Sequence, residues 1–228
     1  MRSANMNIRD FAHVGALATL LVCANVAHLG AANLIEPVAE SEPTQFNGNA
    51  LTVAPTPPTN ALTVFAGRLA SGSLENLIMP NQPTKFENVN FVGAAYSKEF
   101  WRNDYISLEV EAGVGQLIGK RNNSTQVWGA GYLRYHAFPW NHIVRTTIAA
   151  SIGVNYQFRD TAFEDNVSNT GKSTKLLHYF SPEITLAHPD WESVELVTRI
   201  HHRSAVYGLF DCDGCGSNVL TFGVRNRF

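Results

Sequence analysis

From residue 104 to the end of the chain, apolar and polar residues take turns at a period of two, the spacing of a strand with one face in each environment. In 104–117 the even positions are Ile106, Leu108, Val110, Ala112 and Val114, against Ser107, Glu109, Glu111, Gly113 and Gly115. In 145–158 they are Ile148, Ala150, Ile152, Val154, Tyr156 and Phe158, against Thr147, Ser151, Gly153, Asn155 and Gln157. In 192–206 Val194, Leu196 and Ile200 alternate with Glu195, Arg199, His201 and Arg203. In 217–228 Leu220, Phe222, Val224 and Phe228 alternate with Thr221, Gly223, Arg225 and Arg227. Weaker alternation marks 61–69, 88–100, 126–137 and 175–187; Pro182 interrupts the last, and 126–137 is mixed in both parities. Eight strands are predicted. Short connectors are expected at 101–103, 138–144 and 188–191, and longer polar ones at 70–87, 118–125, 159–174 and 207–216. Short turns at one end and long loops at the other are the plan of an outer-membrane barrel.

The expected fold is all-β, an eight-stranded antiparallel up-and-down transmembrane β-barrel spanning 61–228. The structural rival is a soluble eight-stranded barrel, and the two differ in which face is apolar. The polar faces here carry Glu109, Glu111, Arg199, Arg203, Arg225 and Arg227. An arginine facing lipid at mid-depth costs roughly 2–4 kcal/mol, whereas inside a narrow tube it can pair with Glu109, Glu111, Glu183 or Glu195. The charges are therefore expected inside and the apolar residues outside. Trp101, Trp140 and Trp191 fall in the three short turns, where amphipathic rings favour a membrane boundary, and Trp128 is expected near the opposite one. Gly113, Gly115, Gly129, Gly131 and Gly153 sit within strands and do not open a helix, so they form no phosphate loop. They are expected to ease curvature and close packing.

The N-terminus differs from all this. Arg2 and Arg9 precede the apolar run Phe11–Val26, and small residues follow at "LGAAN". That is a secretory signal over 1–32, with cleavage expected after Ala31 or Ala32. Residues 33–60, rich in Pro, Thr and Asn, are expected to form a flexible leader. Charged residues make up 16 % of the 228, with a formal net charge of −2, which gives no electrostatic reason to expect nucleic acid. Of the three cysteines, Cys23 leaves with the signal, and "CDGC" keeps Cys212 and Cys215. In an exported chain a local disulfide is the first reading, with two free loop thiols as its competitor. One CxxC supplies too few ligands for a metal site, and no cofactor is expected.

His202 and Ser204 share the even parity of the lipid-facing residues, and neighbours two apart on a strand point the same way. A leaning imidazole can then reach the hydroxyl as a general base. His201 is odd and points inward, which argues against a His-His metal pair. Polar groups on a lipid-facing strip cost free energy. They make sense where the substrate is itself a lipid. Strand seven runs outward, so 202–204 lies at outer-leaflet depth, where lipopolysaccharide resides. His136, His142, His178 and His188 are scattered at strand ends and turns and are read as interfacial.

The eight-strand pattern, the "HRS" of His202, Arg203 and Ser204, and the aromatic ending "GVRNRF" resemble the outer-membrane lipid A 3-O-deacylases of the PagL type. The specific part of the likeness is confined to the last thirty or so residues. The resemblance implies a hydrolase whose Ser–His–Glu triad, on the barrel's outer surface, cleaves an ester-linked acyl chain from lipid A. It also implies Ser204 as nucleophile, His202 as base, and a last strand whose aromatic end is read during membrane assembly. The chain departs from the family in two places. Where the family's acid is expected, "GCGSNVLTFGVRNRF" offers Asn218, which can orient an imidazole but cannot balance its charge; Asp211 or Asp213 in the neighbouring loop are the alternative third members. Where the family often has Asn after its serine, Ala205 stands. The competing function is a non-enzymatic outer-membrane barrel that binds lipid or a surface partner through its long loops.

Overall fold

A computed structural model describes residues 58–79, 84–191, 193–206 and 208–228. The expected signal and nearly all of the leader lie outside them. The strands are β1 (Asn60–Ser71), β2 (Lys85–Arg102), β3 (Ile106–Ile118), β4 (Ser124–Tyr135), β5 (Arg145–Gln157), β6 (Leu176–Phe180), β7 (Glu183–Ala187), β8 (Val194–Ser204) and β9 (Gly216–Arg227). Two short helices, α1 (Leu74–Ile78) and α2 (Ala162–Val167), lie in the loops after β1 and β5. Each strand pairs antiparallel with its neighbour, and β9 returns to β1, closing the sheet. Segments β6 and β7 both pair with β5 on one side and β8 on the other. They are halves of one barrel strand split at Ser181–Pro182, where proline has no N–H for the ladder. The ring thus has eight strands. Phe228 ends it by exchanging both backbone hydrogen bonds with Asn60, at 2.9 and 3.1 Å.

Sidedness follows the charges. Ile152 is 47 % exposed on the outside and Arg225 is 1 % exposed within. Val64, Val110, Leu196 and Phe222 form part of the same apolar exterior. An eight-stranded ring with this exterior and an ionic interior is an outer-membrane barrel. Its loop plan differs from expectation at one point: the connection after β3 is only the tight turn 119–123, closed by Asn122 N–H donating to the Gly119 carbonyl. Trp101, Trp140 and Trp191 are exposed at the opposite end, as expected. Trp128 is a correction. β4 turns its even positions inward, so Trp128 is buried and donates its Nε1–H to Glu111 at 2.9 Å. Its ring occupies the space a side chain at Gly113 would need, with 2.2 Å left to a Cβ there. Phe91 does the same over Gly115.

The interior is built in tiers. In the half near the termini, carboxylates and guanidiniums form one continuous alternation. Arg199 bonds Glu111 and Glu183; Arg134 bonds Glu183 and Glu109; Arg225 bonds Glu109 and Glu195. Above it sits an apolar tier of Phe65, Phe91, Trp128, Tyr179 and Val219 around the His201 ring. At the loop end, Glu164 of α2 reaches into the bore and accepts from Arg203, Ser217 and Gln157. Thr161 caps that helix by accepting from the Glu164 N–H.

Replacing Arg199 by Met leaves Glu111 without a cation, bonded only by the Trp128 Nε1–H, and leaves Glu183 with one cation. Breaking a buried ionic network this way costs about 3–5 kcal/mol. Urea unfolding from lipid vesicles, followed by tryptophan fluorescence, is expected to register a loss of that size. A loss under about 1 kcal/mol, the size of an exposed pair, would contradict the structural role given to the network.

Candidate functional site

β8 carries Ile200, His202 and Ser204 on its outer face while His201 and Arg203 point inward and are fully buried. The strand's period of two alone accomplishes this separation. Ser204 is the last residue of the strand, at the end that bears the long loops. The adjacent β9 places Asn218 directly opposite His202 and Gly216 opposite Ser204. On the other side, β6 sets Phe180 opposite His202 and His178 opposite Ser204. These outward positions form one small polar patch in the apolar belt.

The hydrogen bonds within it have a direction. Asn218 donates its Nδ2–H to the Gly72 carbonyl at 2.8 Å. That carbonyl can only accept, so the amide nitrogen must face it and the amide oxygen must face away. Oδ1 of Asn218 then lies 2.6 Å from Nδ1 of His202. An amide oxygen has no proton to give, so Nδ1 carries the hydrogen and donates. In the neutral ring Nε2 is left with its lone pair, the tautomer a general base requires. Gly72 has φ +125°, a conformation that favours glycine, so the carbonyl's direction depends on the residue at the start of the first loop. Phe180 packs edge-on to the imidazole, ring centres 6.5 Å apart.

No hydrogen bond joins His202 to Ser204 among the described residues. A recess of about 360 Å³ opens beside them, walled by Leu74, Phe163 and Val167 together with His202, Ser204 and Asn218. A roomier one, about 560 Å³, lies at Gln116, Asn123 and Arg159 and is lined by no histidine, cysteine or carboxylate. Its lining therefore lacks any base for a nucleophile.

The two loop aspartates lie elsewhere. Asp213 accepts from Asn169 through its carboxylate at 2.9 Å, and Asp211 is exposed with φ +53°. His202 is partnered by Asn218. Cys212 and Cys215 are joined, with Cα atoms 5.8 Å apart, and the Asn169 N–H donates to the Asp213 carbonyl at 3.0 Å, tying the last loop to the one that carries α2. His142 and His188 are exposed in the turns at the opposite end. His136, also in a turn there, is half-buried, and burial holds its pKa below the ordinary histidine value. His178, expected with these at a strand end or turn, lies within β6, whose register with β8 sets it against Ser204. Nothing in the local sequence around His178 signals that position. Among the described residues no group of three or more metal-ligating side chains is found.

No family model matches the chain, and no curated protein matches it. Among solved structures, the outer membrane enzyme PagL is similar with a TM-score of 0.51 and 14 % identity, covering 74 % of this chain and 99 % of that one. Neisserial surface protein A follows with a TM-score of 0.48, 14 % identity and coverage of 74 % and 96 %. The attachment invasion locus protein Ail of Yersinia pestis has a TM-score of 0.38 at 9 % identity, covering 76 % of this chain and all of that one. At 14 % identity the likeness to PagL is one of fold.

The tautomer assignment is open to direct measurement. Nitrogen-15 NMR of histidine-labelled protein in detergent micelles is expected to find His202 protonated at Nδ1 and bare at Nε2 above its pKa. In Asn218→Ala the same ring should become a mixture of tautomers. A wild-type ring already mixed would remove the role assigned to Asn218.

Proposed function

We propose that this chain is an outer-membrane esterase of the lipid A deacylase kind, with Ser204 as nucleophile, His202 as general base and Asn218 as the residue that orients His202. The observation that carries the reading is the pair of bonds through Asn218, from the Gly72 carbonyl to His202 Nδ1. They leave Nε2 as an acceptor on the same strand face as a serine, in a half-buried position facing lipid. The substrate is an ester-linked acyl chain of lipopolysaccharide, because the patch lies at the loop end of the strand, at outer-leaflet depth.

The reaction balances with these groups alone. As Ser204 Oγ bonds to the acyl carbonyl carbon, its proton passes to His202 Nε2. The carbon–oxygen bond to the sugar then breaks, and the sugar oxygen takes that proton. Water attacks the acyl-serine by the same route and releases the fatty acid. Between steps the imidazolium faces the dipole of an amide oxygen where a carboxylate would stabilise it more strongly. Exchanging a triad aspartate for asparagine in a serine protease lowers kcat by about 10⁴-fold, mainly because the ring then holds the wrong tautomer. Here the Gly72 carbonyl keeps the amide oxygen turned to the ring, so the tautomer survives and only the charge is missing. A slow enzyme is the expected result.

Lipid A from cells producing the wild type is expected to lose the mass of one acyl chain, and lipid A from cells producing Ser204→Ala to keep it. Unchanged lipid A with well-folded wild type in the membrane would refute the reading.

Among the described residues His202 is bonded by Asn218 and by no carboxylate, which favours a second reading, a barrel that binds lipid or a surface partner without cleaving it. The two part on one measurement. Under the esterase reading a fluorophosphonate should label wild type at Ser204 and leave Ser204→Ala unlabelled; under the binding reading it should label neither.

A further inference from the structure

Attack on an ester makes a negatively charged oxygen, and a serine esterase needs a donor aimed at it. The usual source is the backbone N–H of the residue after the nucleophile. In this chain that group is taken: Ala205 N–H donates to the Cys215 carbonyl at 3.1 Å. The Ala205 side chain has no donor and is 3 % exposed. The strand on one side of Ser204 contributes no side chain at all, because its partner there is Gly216. That glycine is enforced: φ is +151°, and a Cβ would meet the Arg203 carbonyl at 2.4 Å. On the other side the partner is His178. Its parity is that of the exposed Leu176, while Leu177 and Tyr179 are buried in the bore, so the imidazole stands on the outer face with Ser204. Directly opposed residues hold their Cβ atoms about 4.5–5.5 Å apart. Residues two apart on one strand are about 6.6 Å apart. By backbone spacing His178 is thus nearer to Ser204 than His202 is. Among the described residues no hydrogen bond holds its ring, whereas the His202 ring is held by Asn218.

We infer that His178 is a further catalytic residue of the proposed esterase, donating its ring N–H to the oxygen of the tetrahedral intermediate formed on Ser204. The substrate carbonyl enters from the Gly216 side, where no side chain stands, and its oxygen turns toward β6. The two imidazoles divide the work. His202, locked by Asn218, takes and returns the proton, and His178 stabilises charge without exchanging a proton.

The inference rests on the esterase reading, and a single series of variants separates the two. Fatty-acid release from purified lipopolysaccharide in detergent micelles would be measured for wild type, His178→Ala and His178→Gln. Heat-modifiable gel migration would confirm that each variant is folded. An alanine should lower kcat by about 10²–10³-fold, the usual effect of removing one such donor, and leave KM nearly unchanged. Glutamine, which keeps an N–H donor but cannot act as a base, should restore most of the rate. If wild type releases no fatty acid, the esterase reading fails and His178 has no reaction to assist. If wild type is active and the alanine variant equals it, the role given to His178 alone is overturned. Glutamine as inactive as alanine would overturn it too, by making His178 a base.

Discussion

The alternating chain of carboxylates and guanidiniums through the bore is the constraint on which the rest of the molecule depends. From Glu111 through Arg199, Glu183, Arg134, Glu109 and Arg225 to Glu195, each arginine bridges two carboxylates, and the links cross β3, β4, β7, β8 and β9. A buried ion without a partner is strongly destabilising, so these charges can be satisfied only if the strands close in this register. Shifting any one strand by a single residue would turn its charges outward to lipid and its apolar residues into the network. The ions therefore specify closure, sidedness and register together. They also fill the bore, as side chains do in a barrel of this size.

The tier above has a different physics and the same effect. Phe65 and Phe91 stack with centroids 6.0 Å apart, and Trp128, Tyr179 and His201 complete an aromatic plug. Arg199 lies under it, its guanidinium 4.8 Å from the Phe65 ring centre, so the apolar and ionic tiers are in direct contact. Above the plug, Glu164 draws α2 into the bore through Arg203 and Ser217. Arg203 lies between His202 and Ser204 in sequence and faces the opposite way. The strand that presents the candidate nucleophile and base is thereby anchored from inside by an ion pair. A rigid element under a reactive pair limits how far its geometry can drift.

On the outer surface, two loops complete what the strands begin. The first loop supplies the Gly72 carbonyl that orients Asn218, and the last is joined through Cys215 to the backbone of Ala205. One contact selects a tautomer and the other removes a backbone donor from use. The patch is therefore a product of strands and loops together, and the imidazole on β6 occupies the side of Ser204 that the loops leave open.

The local alternation of side chains was sufficient to determine which way most residues face. Strand membership, the outward run ending at Phe228, the inward His201 and the shared face of His202 and Ser204 all follow from a period of two, a property of each segment alone. Trp128 and the aromatic tier were not legible, because β4 and the first two strands carry apolar residues in both parities. The partners of the site were not legible either. His178 precedes Ser204 by 26 positions and Gly72 precedes Asn218 by 146. The meetings of Ser204 with His178, of Asn218 with His202, and of Gly72 with Asn218 are set by closure of the ring and the path of a loop. Pairing across strands is a non-local choice made by the buried ions and the packed core as a whole, so only the tertiary structure could decide it.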